Sequence, residues 1–331
     1  MPDLPLTCAL GDYDQTRDLA LARVRPHGID LRVLNFNVEE IFYRFHDRGE
    51  WDVSELSMGM YTSACSRGDR RFVALPVFPS RVFRQSAFYV HSDSPAREPQ
   101  DLAGRRIGVA QWSQTAAIYA RGYLSATAGV PLSRIRWIQA GVNDPGREEP
   151  ATLKLPADIS LTTVTDRSLD DMLLAGDIDA VISARPPRSF VAGDPRMRRL
   201  FPDYPAVEAA YFGQTGIFPI MHTVAMRREV YEANRWIARN LTVAFEEAKN
   251  RSVARLRDLT AAHVPLPWTV DLFERVKREV FPDGDFWPYG IEANRRTLDA
   301  FLQYAFEQGV CHRLLRAEEI FAEEALAQIK V

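Results

Sequence analysis

The chain has 331 residues, of which 46% are hydrophobic and 26% are charged, as is usual for a globular protein. A chain of this length favours two domains, and its net charge of −3 gives no basis for binding nucleic acid or an anionic membrane. No apolar run approaches the ~20 residues that span a bilayer, and no signal peptide is visible. Since three cysteines cannot all pair, we expect a cytoplasmic protein.

Strands and helices alternate along the first ninety residues. Short apolar strands are predicted at 6–10, 29–34, 51–56, 72–78 and 87–90, with helices at 14–24 and 38–46 and a third ending at 65. Such alternation favours βαβ units in an open sheet, whose ligands bind beyond the carboxyl ends of the strands. Four polar side chains fall at these ends and are predicted to face a site: Asp12, Glu55, Ser57 and Ser80.

The next part of the chain repeats this pattern. Strands are predicted at 105–109, 135–138 and 178–183, and a polar excursion at 140–159 separates a helix ending near 128 from one at 169–175. The free N–H groups at the start of the first helix favour anions. Its leading residues Gln111, Trp112 and Thr115 are therefore predicted to line a second wall, together with Arg185 beyond the last strand.

The chain then returns to a strand-like run at 216–226, followed by a charged helix at 229–257, an aromatic loop at 281–290 and an apolar helix around 298–306. Two α/β lobes joined near residues 90 and 215 predict a hinged protein with a ligand cleft between the lobes. The first lobe would comprise 1–90 plus 218–331 with the C-terminal helices, and the second 91–217. This is the architecture of periplasmic-binding-protein-like folds.

The segment 71–91 places hydrogen-bond donors between two β-prone runs. The donors are Ser80, Arg81, Arg84, Gln85 and Ser86, with no carboxylate among them. Guanidinium groups bind carboxylates through two-point contacts, so the segment predicts anion recognition. The alternative is a strand–loop–strand with solvated arginines.

Ordered motifs along the chain indicate a family. They include G-D-Y-D at 11–14, D-V-S-E-L-S at 52–57, P-V-F-P-S-R-V-F-R at 76–84, S-A-R-P-P at 183–187, G-I-F-P-I-M-H at 216–222 and F-W-P-Y-G at 286–290. Over nearly its whole length the sequence resembles the 4,5-dihydroxyphthalate decarboxylase family, relatives of type II solute-binding proteins. The resemblance implies a two-lobe type II fold. It also implies loss of CO2 from an aromatic dicarboxylate without an organic cofactor.

A dihydroxylated benzene-dicarboxylate needs cations for its carboxylates, and Arg81, Arg84 and Arg185 are the candidates. Protonation of the ring carbon that bears the leaving carboxylate needs one acid and one base. We predict His222 as the acid, since imidazole exchanges protons near neutral pH. Glu55 is predicted as the base toward the catechol hydroxyl, with Asp12 as a second carboxylate. In the structural alternatives His222 is a core histidine, Glu55 pairs with an arginine and Asp12 caps the first helix.

Further contacts are predicted around the substrate. Its polar groups would be bound by Ser57, Ser80, Gln111, Trp112 and Thr115. The aromatic ring would be covered by Trp287 and Tyr289; in the alternative, these two side chains only pack under their own loop. Asp12, Glu55 and His222 could together hold a divalent metal, although no metal-ligand spacing is present.

Three functions remain open from the sequence. The first is a cytoplasmic aromatic acid decarboxylase. The second is a solute-binding receptor or sensor for a small organic acid, and the third is a biosynthetic enzyme on the same scaffold. The absence of a visible signal peptide and the acid–base set favour the decarboxylase. A homo-oligomer is left open, because exposed faces of the C-terminal helices could build a dimer.

Overall fold

Two β-sheets organise the structure, a computed structural model that describes residues 2–282 and 284–325. The strands are β1 (Leu4–Leu10), β2 (Ile29–Asn35), β3 (Val53–Ser57), β4 (Phe72–Leu75), β5 (Phe88–His91), β6 (Arg106–Val109), β7 (Arg136–Gln139), β8 (Ser160–Thr163), β9 (Ala180–Ile182), β10 (Met197–Arg199) and β11 (His222–Arg227). The first sheet has the strand order β2-β1-β3-β11-β4 and the second the order β10-β5-β9-β6-β7-β8.

Helices cover the two sheets. They are α1 (Asp14–Ala20), α2 (Val38–Arg48), α3 (Met58–Ser66), α4 (Thr115–Gly122), α5 (Leu169–Leu174), α6 (Arg188–Val191), α7 (Tyr204–Thr215), α8 (Arg228–Ala233), α9 (Ile237–Leu256), α10 (Thr269–Glu279) and α11 (Arg295–Glu307). Within the described residues, no helix is long and apolar enough to cross a membrane.

Each sheet combines parallel and antiparallel pairs. In the first sheet β1 runs parallel to β2 and β3, while β11 inserts antiparallel between β3 and β4. In the second, β6 runs parallel to β7 and β9, and β5 runs antiparallel to β9 and β10. The chain thus crosses to the second sheet after β4 and returns before β11. The division into 1–90 plus 218–331 and 91–217 stays a prediction, and β5, at Phe88–His91, already lies in the second sheet.

The two lobes approach each other closely where α3 and α4 begin. The Gly59 N–H donates to Oγ1 of Thr115 at 2.9 Å, and that oxygen lies 3.0 Å from Oγ of Ser57. A Cβ atom on Gly59 would overlap the carbonyl oxygen of Ser113. Glycine is therefore required here because the backbones of the two lobes nearly touch.

Two sequence predictions about elements were wrong. The helix expected at 229–257 is divided into α8 and α9, because Asn234 leaves the helical region at φ −146° and ψ 57°. The strand expected from 216 begins only at His222. In addition, β8 was not predicted, since its residues are mostly exposed and polar and carry no apolar alternation.

Candidate functional site

A cleft of 730 Å³ lies between the lobes, beyond the carboxyl end of β3. The first lobe contributes side chains from α2, from the start of α3, from the segment after β4 and from the start of β11. The second lobe contributes the start of α4 and two loops. The polar residues that line it are Glu39, Asp47, Ser57, Arg84, Gln111, Ser113, Gln114, Thr115, Arg147, Arg185 and His222.

His222 and Glu55 form a hydrogen-bonded pair at the cleft wall. In the antiparallel ladder of β11 and β3, His222 lies opposite Ser57 and Val224 lies opposite Glu55, so both side chains project from one face. Nδ1 of His222 lies 2.5 Å from Oε1 of Glu55. The Glu55 carboxylate is fully buried and accepts two further hydrogen bonds. We therefore assign the proton to Nδ1, which leaves Nε2 for the cleft.

The two further donors to Glu55 come from the loop after β1. The Gly11 N–H donates to Oε2 at 2.8 Å, and the Tyr13 hydroxyl donates to Oε1 at 2.7 Å. Burial and the nearby Glu55 charge raise the pKa of Tyr13, so its hydroxyl keeps its proton. A Cβ atom on Gly11 would lie 2.7 Å from the Tyr13 ring, so glycine is what allows this loop to close. Tyr13 was missed, although the G-D-Y-D motif that contains it was noticed.

The structure changes the roles expected of the two carboxylates. Glu55 is buried behind His222 with both oxygens engaged, so it acts on the imidazole and cannot reach a catechol hydroxyl in the cleft. Asp12 is exposed and lies outside the residues that line the cleft. Its predicted place beside Glu55 is taken by Tyr13. Across the described residues, no group of three or more His, Cys, Asp or Glu side chains is placed to hold a metal ion.

Of Arg81 and Arg84, only Arg84 faces the cleft. Its Nε donates to the sulfur of Met221 at 3.1 Å, and its two Nη atoms have no partner among the described residues. Desolvation lowers the pKa of Arg84 to about 10, and the charge of Glu208 opposes this shift, so the side chain remains cationic at neutral pH. A cation with free donors in a cleft wall is suited to bind a carboxylate.

Arg81 instead makes hydrogen bonds within the protein, which corrects its predicted role in binding the ligand. Its guanidinium is buried and donates to the carbonyl oxygens of Phe218 at 3.3 Å and Pro288 at 2.7 Å, and also to Oδ1 of Asn294. Burial lowers the pKa of Arg81 to about 10. The side chain therefore connects the segment before β11 to the aromatic loop.

Arg185 lines the cleft, as predicted, and is joined there by two residues that the sequence did not reveal. Nη2 of Arg185 lies 3.5 Å from Oε1 of Glu39, and Nη1 of Arg147 lies 3.6 Å from Oε2. Glu39 belongs to α2 of the first lobe, whereas both arginines belong to the second. Arg147 was missed because it lies in the irregular excursion, and Glu39 because the first turn of an amphipathic helix is usually solvated.

The remaining predicted contacts divide into two groups. Gln111, Thr115 and Ser57 line the cleft. By contrast, Trp112 is fully buried, and its indole N–H donates to the carbonyl oxygen of Gln308 at 2.8 Å. Ser80 lies beside the Tyr13 hydroxyl, outside the cleft lining.

The two aromatic residues expected to cover the ring pack inside the protein. The indole N–H of Trp287 donates to the carbonyl oxygen of Phe78 at 3.0 Å, and its ring meets Phe218 edge-on at 5.6 Å. Tyr289 is buried against Phe78, with ring centroids 6.5 Å apart. Both residues lie outside the cleft lining, as their packing alternative expected.

Comparison by sequence gives two relatives of one kind. No protein-family model matches the chain. The chain is 36% identical over 332 positions, covering all of both proteins, to the 4,5-dihydroxyphthalate decarboxylase of Comamonas testosteroni. It is 35% identical over 204 residues to the 4,5-dihydroxyphthalate decarboxylase of Pseudomonas putida, an alignment that covers 61% of this chain and 79% of the relative.

Comparison by structure concerns the fold. The periplasmic aliphatic sulphonate binding protein SsuA from Escherichia coli is similar with a TM-score of 0.55 at 15% identity, covering 99% of this chain and 100% of SsuA. A mutant of the desulfurization enzyme DszB in complex with biphenyl-2-sulfinic acid is similar with a TM-score of 0.54 at 17% identity, covering 98% of each chain. These structural similarities confirm the predicted two-lobe periplasmic-binding-protein-like fold. At such low sequence identity they show the fold alone and not an activity.

Proposed function

Because the chain belongs to the 4,5-dihydroxyphthalate decarboxylase family, we propose that it removes one carboxylate of 4,5-dihydroxyphthalate as CO2 and releases protocatechuate. The observation that supports this most is the His222–Glu55 pair at a cleft wall that also carries the free guanidinium of Arg84. An acid and an anion-binding cation thereby border the same cleft, as a decarboxylation by ring protonation requires.

The proton moves from His222 to the substrate ring. Nε2 of the imidazolium donates a proton to the ring carbon that bears the leaving carboxylate, and a para hydroxyl that has lost its proton supplies electron density to that carbon. The carbon–carbon bond to the carboxylate then breaks, and its electron pair restores the aromatic ring as CO2 leaves. Glu55 holds the imidazole by Nδ1 and so orients Nε2 toward the cleft.

Anion recognition prepares this step. Arg84 follows β4 and contacts Met221, the neighbour of His222 in the chain, so a carboxylate bound to Arg84 lies near the acid. The Ser57 hydroxyl lies on the same wall as His222 and is hydrogen-bonded at 3.0 Å to the Thr115 hydroxyl of the opposite wall, where the amide of Gln111 adds a further polar group. Since a helix leaves its first N–H groups without internal acceptors, the start of α4 also favours the anionic end of the substrate.

Location and assembly are part of the same proposal. Cys8, Cys65 and Cys311 are all buried free thiols, which suits a reducing cytoplasm.

For assembly, α10 contains no buried residue, and an apolar stripe runs along it at four-residue spacing. Trp268, Leu272 and Val276 form this stripe and are 77%, 42% and 38% exposed.

A second copy of the chain fits this α10 stripe. The first half of the helix carries Asp271 and Glu274, and the second half carries Arg275, Lys277 and Arg278, with Glu279 as its last residue. Two α10 helices packed antiparallel would therefore place the acidic end of each against the basic end of the other, with the apolar stripes between them.

The direct test is turnover. Purified protein with analysed metal content is incubated with 4,5-dihydroxyphthalate, with and without chelator, while CO2 and protocatechuate are measured. We expect product from the wild type and at least a 100-fold lower rate from His222→Asn, with ligand binding retained. Phthalate serves as the control ligand, since it has no hydroxyl group to activate the ring. Thermal stabilisation by 4,5-dihydroxyphthalate without any CO2 would instead support a solute-binding protein.

A further inference from the structure

We propose that Glu39 is the base that takes the proton from the ring hydroxyl para to the departing carboxylate. This inference rests on the proposed decarboxylation and supplies the part that Glu55, buried behind His222, cannot perform. It adds a second catalytic residue to the site, on α2 and opposite the arginines of the second lobe.

Few carboxylates are available for this task. Among the described residues that line the cleft, the carboxylates are those of Glu39 and Asp47. Asp47 lies at the far end of α2, where its Oδ1 contacts Nδ1 of His46 at 3.0 Å. Glu39 lies in the first turn, between the lobes. It is therefore the carboxylate placed to meet a bound ring.

The position of Glu39 relative to His222 suits a substrate that spans both. The side chain of Asn37 caps α2 by accepting a hydrogen bond from the Glu39 N–H at 3.0 Å, which fixes this first turn. One turn further along α2, Phe42 meets the His222 ring edge-on, with ring centroids 4.8 Å apart. Glu39, Phe42 and His222 therefore line one continuous stretch of the cleft wall, with Phe42 between the proposed base and the acid.

The two arginines pair with Glu39 without blocking its carboxylate oxygens. At 3.5 and 3.6 Å, Arg185 and Arg147 form ion pairs with Glu39 that are too long for strong hydrogen bonds. Both carboxylate oxygens therefore keep lone pairs for a hydroxyl donor. The same cations lie next to the oxygen that becomes negative when the hydroxyl gives up its proton, and they stabilise that charge.

The proton balance closes with these two residues. Glu39 accepts the proton of the para hydroxyl while His222 donates a proton to the ring carbon, and the carbon–carbon bond breaks to release CO2. Glu39 then returns its proton to the phenolate oxygen, which restores the catechol. His222 regains its proton from water, so each turnover consumes one proton and needs no oxidant, reductant or cofactor.

The test compares Glu39→Gln with Glu40→Gln. Glu40 follows directly in α2, pairs with Arg44 at 2.6 Å and does not line the cleft, so its substitution is the matched control. For Glu39→Gln we expect kcat at least 100-fold below the wild type with KM changed less than about threefold. We also expect the ratio of its rate to that of the wild type to rise with pH, because the hydroxyl then ionises without a base while both proteins depend equally on His222. Glu39→Asp should recover part of the activity. Glu40→Gln should match the wild type in all of these.

Two results would overturn the inference. If Glu39→Gln keeps the kcat of the wild type, or changes KM alone, Glu39 serves only as an ion pair between the lobes. If the ratio of its rate to that of the wild type stays constant as pH rises, the loss is structural and not that of a base. Failure of the proposed function is a separate outcome, since the wild type would then release no CO2 from 4,5-dihydroxyphthalate.

Discussion

Oε1 of Glu55 lies 2.5 Å from Nδ1 of His222, although 167 positions separate the two residues in the chain. The insertion of β11 between β3 and β4 brings them together. Glu55 is fully buried whereas His222 borders the cleft, so the carboxylate works through the imidazole. The hydrogen bond of this pair resembles the one between histidine and carboxylate in a hydrolase triad. In a triad the histidine exchanges a proton with a nucleophile, whereas here it would donate a proton to a ring carbon of the substrate.

Replacing Glu55 tests this positioning role. In Glu55→Gln the imidazole of His222 loses the carboxylate that accepts its Nδ1 hydrogen bond and fixes its orientation. We expect kcat to fall about 100-fold with little change in KM, and Glu55→Asp to recover part of the rate, because a carboxylate is restored. Steady-state kinetics of both variants measures these changes, and circular dichroism checks that each is folded. A folded Glu55→Gln variant with the kcat of the wild type would contradict the positioning role.

The two arginines of the 76–84 motif should respond differently to substitution. Arg84→Met removes a cation with free donors in the cleft, and we expect KM to rise roughly 10- to 100-fold with little change in melting temperature. Arg81→Met removes the donor to the Phe218 carbonyl oxygen and to Oδ1 of Asn294, while the Pro288 carbonyl oxygen keeps the Asn294 amide as a donor. We expect a loss of about 3 kcal/mol of stability with a smaller change in KM. Kinetics and thermal unfolding of both variants provide the comparison. Reversed effects would return Arg81 to the role of ligand anchor.

The sequence allowed much of the fold to be predicted because apolar strands and amphipathic helices alternate clearly in both lobes. The ends of these strands also located part of the site. Ser57 and His222 line the cleft because β3 ends and β11 begins there, which is a consequence of the sheet topology. Local periodicity was sufficient for these residues.

Periodicity could not decide which way a side chain in an irregular segment points. Arg81 and Arg84 are three positions apart, and they differ because the carbonyl groups of Phe218 and Pro288 meet only Arg81. Trp112 turned inward for a similar reason, since its indole N–H meets the carbonyl of Gln308 after the C-terminal helix. Such partners are distant in the sequence, so the orientation follows from tertiary packing alone.

The close approach of α3 and α4 gives a third prediction. A methyl group on Gly59 would overlap the carbonyl oxygen of Ser113, so Gly59→Ala should push the lobes apart and lower kcat/KM at least 10-fold. Gly213 is the control, since a Cβ atom there meets nothing within 4 Å and the residue lies inside α7. Gly213→Ala should keep its activity and gain about 0.5–1 kcal/mol of stability. Equal activity of the two variants would show that the contact at Gly59 does not control the cleft.

The exposed stripe on α10 gives the last prediction. If two chains pair through Trp268, Leu272 and Val276, a charge in the middle of the stripe should separate them, because a buried unpaired carboxylate is costly. We expect the wild type to sediment as a dimer at micromolar concentration and Leu272→Glu as a monomer with unchanged far-UV circular dichroism. Val191→Glu is the control, since Val191 is a still more exposed apolar residue, 71% accessible, and lies on α6, distant in the chain from α10. A dimer that persists in Leu272→Glu, or dissociates equally in Val191→Glu, would exclude α10 as the interface. A wild type that is monomeric at this concentration would exclude the dimer itself.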